Sequence, residues 1–134
     1  MARAAVVGAG MTTFGVHDTP LQELFAAAAL EALEDAGVET TDVEALYFGN
    51  AMGGQAENET HLGPTAASHV GLAGIPVQRY EDACATSANA FKNADVAQAS
   101  SNRWTASPAA PMWLATRGPR CVSFSAWPLI AFPK

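Results

Sequence analysis

A chain of 134 residues, 49% hydrophobic and 15% charged, is long enough for one domain with a true core, and it should bury roughly 68% of its unfolded surface, which argues against two independent domains. Seven Lys+Arg against 13 Asp+Glu give a net charge of −6, which excludes an electrostatic surface for nucleic acid or an anionic membrane. Two cysteines 37 positions apart, Cys84 and Cys121, make neither a disulfide scaffold nor a thiolate zinc site. A reducing, cytoplasmic setting is therefore expected. Met1 to Gly10 carries one Arg and a brief apolar run, and no later stretch has the length and apolarity of a membrane span, so neither signal peptide nor transmembrane helix is expected.

Residues 1–99 read as alternating strands and helices. Ala4 to Val7 is a short apolar run closed by Gly8-Ala9-Gly10, the pattern of a buried strand entering a turn. Thr19-Pro20-Leu21-Gln22 opens a helix, with Thr19 as the cap, Pro20 at the first helical position and Gln22 at capping-box spacing. Leu21, Phe25, Ala28 and Ala32 share one face of it; Glu23, Ala27, Glu31 and Glu34 share another, which faces water. Gly37 stops the helix. Val43 to Phe48 reads as a second strand, Gly49 to Gly54 as a flexible loop, and Pro64 to Val70 as a second helix. Ile75 to Tyr80 supplies a third strand. Ala85 to about Ser100, free of Pro and Gly, supplies a third helix. Such repeats predict an α/β fold with a mostly parallel sheet.

The character of the chain changes near Ser100. All 13 acids lie between Asp18 and Asp95, so that residues 1–99 carry a net −10, whereas residues 100–134 hold Arg103, Arg117, Arg120 and Lys134 and no acid. Trp104, Trp113, Trp127 and five of the eight prolines also fall in this last part, with no helical or strand period. The division is thus 1–99 for the α/β part and 100–134 for a Trp/Pro-rich tail.

Three signals point to no site. Gly8-Ala9-Gly10 lacks the third glycine of a dinucleotide fingerprint, because Thr13 stands there, and a tight loop is the better reading. The acids Glu31, Glu34, Asp35, Glu39, Asp42 and Glu44 follow an exposed helix face and a turn, which makes them a solvated face and not a metal site. The 29 alanines have no fixed period and suit close helix packing. Cys84 is different. It sits in Glu81-Asp82-Ala83-Cys84-Ala85-Thr86-Ser87, between the third strand and the third helix, where unpaired N–H groups and the helix dipole favour an anion. Spacing alone leaves two readings open, a nucleophile and a small buried cysteine.

The segment from Arg79 to Ser87 resembles the nucleophile segment of thiolases, above all the archaeal and sterol-carrier type, in which a Glu-Asn-Ala-Cys-Ala-Ser-Gly-like run leads into a buried helix. Other segments agree in order and spacing: Val6 to Gly15 is similar to that family's opening strand and loop, Leu24 to Gly37 to its first helix, and Phe48 to Gly54 to its second-strand loop. His61 to Pro64 and Gly71 to Pro76 are similar to the approach to the nucleophile. The resemblance covers residues 1–99 and implies a Claisen-type acyl transfer on coenzyme A thioesters. Cys84 would form the acyl-enzyme, with its backbone N–H as one oxyanion donor. Acyl-CoA is then a substrate, no further cofactor or metal is implied, and a homo-oligomer is the family's expectation.

Asp82 stands where the family has Asn, placing a carboxylate beside the thiol, and Ser87 stands where it has Gly. The family's activating histidine, second acid/base cysteine and remaining oxyanion donors belong to Asn-containing and Gly-His-Pro-like motifs that these residues do not include. His17, His61 and His69 do not match those motifs and are expected in surface or helix-packing roles; a Cys84–His69 dyad requires a fold that joins them. The alternative to an enzyme is a non-catalytic fragment with an unfinished sheet edge. Read as G+C-rich codons and shifted by two bases, Trp104-Thr105 forces an Asp and Met112-Trp113 a Val, and G at the free third positions completes Val-Asp-Gly-Val-Ala-Gly-Gly-Ala-Asp-Val, which resembles the family's next strand and turn. The expectation is an out-of-frame tail from about Ser101, against a native Trp/Pro-rich one.

Overall fold

The computed structural model describes residues 6–99 and three short strands beyond them, Ser107–Ala109, Met112–Ala115 and Val122–Ser125. In chain order the elements are α1 (Leu21–Ala36), β1 (Leu46–Gly49), α2 (Gly53–Ala56), α3 (Leu62–Val70), β2 (Val77–Tyr80), α4 (Thr86–Ala99), β3 (Ser107–Ala109), β4 (Met112–Ala115) and β5 (Val122–Ser125). Single 3-10 turns at Thr40–Asp42 and Ala83–Ala85 precede β1 and α4. The sheet runs β2-β1-β5-β4-β3. β1 pairs in parallel with both neighbours, Leu46 opposite Val77 and Val122, while β3–β4 and β4–β5 are antiparallel. The α/β class holds, and the parallel part of the sheet is the part that leads into the Arg79–Ser87 segment.

Strand β1 is buried along its whole length, as expected of a central strand covered on both faces. Period-two alternation sends Phe48 against Phe25 of α1, ring centroids 5.0 Å apart in an edge arrangement. It turns Gly49 toward Thr86 and Ala90 of α4, where a Cβ would stand 3.3 Å from each side chain. Helix α3 lies on the α1 side, with Gly63 over Val77 and Arg79. The layers are therefore α1 with α3, the sheet, and α4. The predicted apolar face of α1 is buried at Leu21, Phe25, Ala28 and Ala32, and the face bearing Glu23, Ala27, Glu31 and Glu34 is exposed. Gly37 ends the helix with φ +62°, and the Val38 N–H returns to the Leu33 carbonyl at 2.9 Å.

Three expectations are corrected. Thr19 does not cap α1: Pro20 is itself the cap residue, with no side-chain bond, and the first helical N–H, that of Leu21, goes to the Glu57 carboxylate at 3.1 Å. The region Gly49 to Gly54 is not a plain flexible loop, because it contains the start of α2 and is bonded at Asn50, Met52 and Gly53. The expected parallel sheet is β2-β1-β5, to which β4 and β3, from beyond residue 99, add antiparallel. Val6 and Val7 form no strand; Ala4 and Ala5 lie outside the described residues.

The N-terminal segment lies instead along α1, with the backbone in close approach. A Cβ on Gly8 would come within 2.3 Å of the Ala32 carbonyl oxygen, and one on Gly10 within 2.3 Å of that of Ala28. The Ala9 and Met11 N–H groups donate to Asp35 and Glu31, each at 2.9 Å. Two acids of the supposed solvated face thus supply the acceptors that a strand neighbour would have supplied, and the place beside β1 is held by β5. Gly10→Ala is expected to lift this segment off α1 at a cost of about 1–3 kcal/mol, read as a Tm lower by about 4–10 °C. Gly15→Ala, whose new Cβ meets nothing nearer than 4.0 Å, should leave the Tm unchanged.

Candidate active site

Cys84 stands just beyond the C-terminal end of β2, in the Ala83–Ala85 turn that feeds α4. That is the end of a parallel strand at which open α/β sheets place their ligands. Its thiol is free and exposed, which removes the buried-cysteine reading. No group of three His, Cys, Asp or Glu residues among those described is placed to hold a metal.

The turn is built on a strained residue. Ala83, immediately before Cys84, has φ +46°, a conformation that costs a side-chain-bearing residue about 1–2 kcal/mol. It is held by Thr86, whose buried hydroxyl accepts the Asp82 N–H at 2.7 Å and donates to the Ala83 carbonyl at 2.8 Å. The Ala85 N–H closes onto the Asp82 carbonyl at 2.9 Å. The Asp82 carboxylate accepts from the Asn89 amide one turn into α4, and Asn89 in turn accepts from Asn93 at 2.8 Å. The charge that the sequence sets beside the thiol is thus bonded along α4.

A second set of contacts ties the strand end to the loop after β1. Glu81 bridges the two: Oε2 accepts from Arg79 at 2.6 Å, and Oε1 accepts the Met52 N–H at 3.0 Å. The guanidinium passes over Gly54, where a Cβ would lie 3.3 Å from Nη1, while Nε is buried without a partner among the described residues. Met52 is itself left-handed, φ +66°. Asn50, buried, accepts the Gly53 N–H at 2.7 Å and donates its own backbone N–H to the Tyr80 carbonyl at 3.1 Å. Tyr80 stacks on Tyr47 and donates its hydroxyl to Gln78; desolvation by partial burial pushes its phenol up.

The three histidines are exposed. His17 and His69 each contact a backbone carbonyl four residues earlier, at Thr13 and Thr65, and His61 contacts the Thr60 hydroxyl. His69 lies in the last turn of α3, toward the start of β2, whereas Cys84 follows the end of β2. The fold separates the two along the strand and does not form the dyad. A cavity of about 270 Å³ between α3 and the Gly71–Val77 connection lies at that same remote end. Sequence reasoning singled out Cys84 as the candidate and gave no role to Thr86, Glu81 or Asn50. The available signal was Thr86 itself, a hydroxyl residue at a helix start, where such side chains bond the preceding backbone.

Comparison with known proteins matches this arrangement to one family. Residues 4–102 match the thiolase N-terminal domain. The chain is 39% identical over 101 residues to an acetyl-CoA acetyltransferase of Methanothermobacter thermautotrophicus, an alignment covering 75% of this chain and 26% of that protein. It is 34% identical over 95 residues to an acetyl-CoA acetyltransferase of Methanocaldococcus jannaschii, covering 70% and 24%. The chain therefore spans about a quarter of the length of these relatives. Among solved structures, the priming β-ketosynthase of the R1128 polyketide pathway superposes with a TM-score of 0.56 at 19% identity, over 71% of this chain and 37% of that one, a likeness of fold. With the match running from the N-terminal segment through the Cys84 turn and the whole of α4, the chain belongs to the thiolase family.

Proposed function

We propose that this chain carries the nucleophile of an acyl transfer between coenzyme A thioesters, with Cys84 as the residue that takes up the acyl group. The observation that carries the reading is an exposed, free thiol held by a strained turn at the C-terminal end of a parallel strand, inside a thiolase N-terminal domain. In the first step the Cys84 sulfur, having given up its proton to a base, attacks the thioester carbonyl carbon. The carbonyl oxygen takes up negative charge, which the Cys84 backbone N–H stabilises as one donor. Collapse breaks the carbon–sulfur bond to coenzyme A, which leaves with a proton as the free thiol, and the acyl group stays on Cys84. A second thioester, deprotonated beside its carbonyl, attacks the acyl carbon; a carbon–carbon bond forms as the bond to the Cys84 sulfur breaks, and the thiolate released takes up a proton; thiolytic cleavage runs the same steps backward.

The base, the acid for the leaving thiol and the remaining oxyanion donors are assigned to residues outside the described set, in line with the share of the relatives that this chain spans. The unit we assign to this role is 1–99, with the change in composition near Ser100 as its boundary. Three strands of the following part nevertheless join the sheet, and the remainder of 100–134 lies outside the described residues. Among the described residues no helix is long and apolar enough to cross a membrane; acyl-CoA as the partner rests on the family match, and a reducing, cytoplasmic setting on the cysteine content.

The test is thiol labelling of the full chain with peptide mapping, which separates Cys84 from Cys121. Cys84 is expected to react with iodoacetamide near neutral pH and to be protected by acetyl-CoA. Labelling at an ordinary thiol rate that acetyl-CoA leaves untouched would favour a non-catalytic fragment.

A further inference from the structure

Resting on that reading of Cys84, we infer that Thr86 is a positioning residue for the nucleophile, acting through the strained peptide at Ala83. A left-handed alanine persists only where its surroundings over-determine it. Here one hydroxyl does so from both sides. Thr86 Oγ1 accepts the Asp82 N–H and donates to the Ala83 carbonyl, at 2.7 and 2.8 Å, so the peptide before Asp82 and the peptide after Ala83 are held by a single oxygen that spans the strained pair. The Ala83 carbonyl belongs to the peptide bond that begins Cys84. Release of that carbonyl frees the Cys84 peptide to rotate away from the start of α4.

The hydroxyl is itself fixed. Thr86 is 3% exposed, and its methyl group lies where a Cβ on Gly49 would come within 3.3 Å, so the side chain is wedged between β1 and its own turn. A serine keeps both hydrogen bonds and loses only the methyl wedge. A valine keeps the shape, leaves the Asp82 N–H without its acceptor and removes the donor to Ala83. The Asp82–Asn89 contact stays intact in both variants, so valine against the parent reports the hydroxyl and serine against the parent reports the methyl.

The experiment compares the full-length chain with Thr86→Ser and Thr86→Val. It reads amide hydrogen exchange at Asp82 by NMR and the rate of Cys84 alkylation by iodoacetamide, with and without acetyl-CoA. In Thr86→Val the Asp82 amide should exchange about tenfold or more faster, the change expected from one stranded buried donor. Alkylation of Cys84 should slow about fivefold or more as the sulfur loses its fixed place at the helix start. Thr86→Ser should restore both to within about threefold of the parent. Equal alkylation rates in the valine and serine variants overturn the inference whatever the exchange data show. If Thr86→Val fails to fold, the serine variant decides: alkylation slowed as far as tenfold despite an intact hydroxyl also overturns it. Absence of acetyl-CoA protection in the parent chain defeats the acyl-transfer reading separately, because the alkylation comparison needs no acyl-CoA.

Discussion

Replacing Cys84 by serine is expected to abolish uptake of the acetyl group from labelled acetyl-CoA, by a factor on the order of a thousand or more. Serine is close in volume, and the position is exposed in a turn whose hydrogen bonds run through Thr86, Asp82 and Asn89 and not through the thiol. The fold should therefore be untouched, with a Tm within about 2 °C of the parent. What changes is the nucleophile. A thiol presents a usable fraction of anion near neutral pH and a hydroxyl does not. The measurement is acetyl incorporation by peptide mapping, made on the chain alone and again after addition of whatever polypeptide supplies the remainder of the relatives' length. Label in the serine variant at more than a few per cent of the parent level would remove Cys84 from the role. Persistence of label on Cys121 alone would move it elsewhere in the chain.

How far the sequence could be read depended on whether each feature was local. Helix α1 was legible because its signals lie within its own sixteen residues: apolar spacing at Leu21, Phe25, Ala28 and Ala32, and a glycine at the end. Strands β1 and β2 were legible as apolar runs, although each proved shorter than its run, whereas β3, β4 and β5 lie where the sequence showed no strand period. Leu46–Gly49 and Val77–Tyr80 pair only where their backbones face each other. The N-terminal segment failed for a reason that no window could reveal. Its partner is a helix backbone 20 to 26 residues away, and the acceptors for Ala9 and Met11 are carboxylates whose spacing along α1 is that of a solvated face. Spacing reports which residues share a face, not what that face meets. The site divided along the same line. Cys84 and its strand-to-helix setting were legible from a contiguous run. The Glu81 bridge to Met52 spans 29 residues and could be seen only once β1 and β2 were in register. Thr86 lay inside the quoted run, yet its role follows from the positive φ at Ala83, and nothing in an alanine announces that conformation.

Phe48→Ala is expected to cost about 3–5 kcal/mol, the sum of lost transfer energy and the cavity left behind. The ring is fully buried on the central strand and meets Phe25 edge-on at 5.0 Å, an arrangement that adds to simple burial. Its neighbours offer little to refill the space. Much of the α1 and α3 surface beside it is alanine, Ala28, Ala29, Ala32, Ala66 and Ala67, and these short side chains bring the helix backbones close with no long rotamer to swing inward. Against a total stability of about 5–15 kcal/mol for a domain, that loss leaves a small margin. The urea midpoint followed by far-UV circular dichroism should fall by about 2 M. Phe14→Ala, at a side chain 67% exposed, should move it by no more than about 0.3 M. The same substitution should reach the site. Gly49 follows Phe48 in the strand and is the surface on which Thr86 and Ala90 rest, so a β1 that loses its packing toward α1 also loses its register against α4. Acetyl-CoA protection of Cys84 should then decline in urea along the unfolding curve. Protection that survives past the midpoint would mean that the turn holds without the sheet, and would break the link drawn here between the core and the nucleophile.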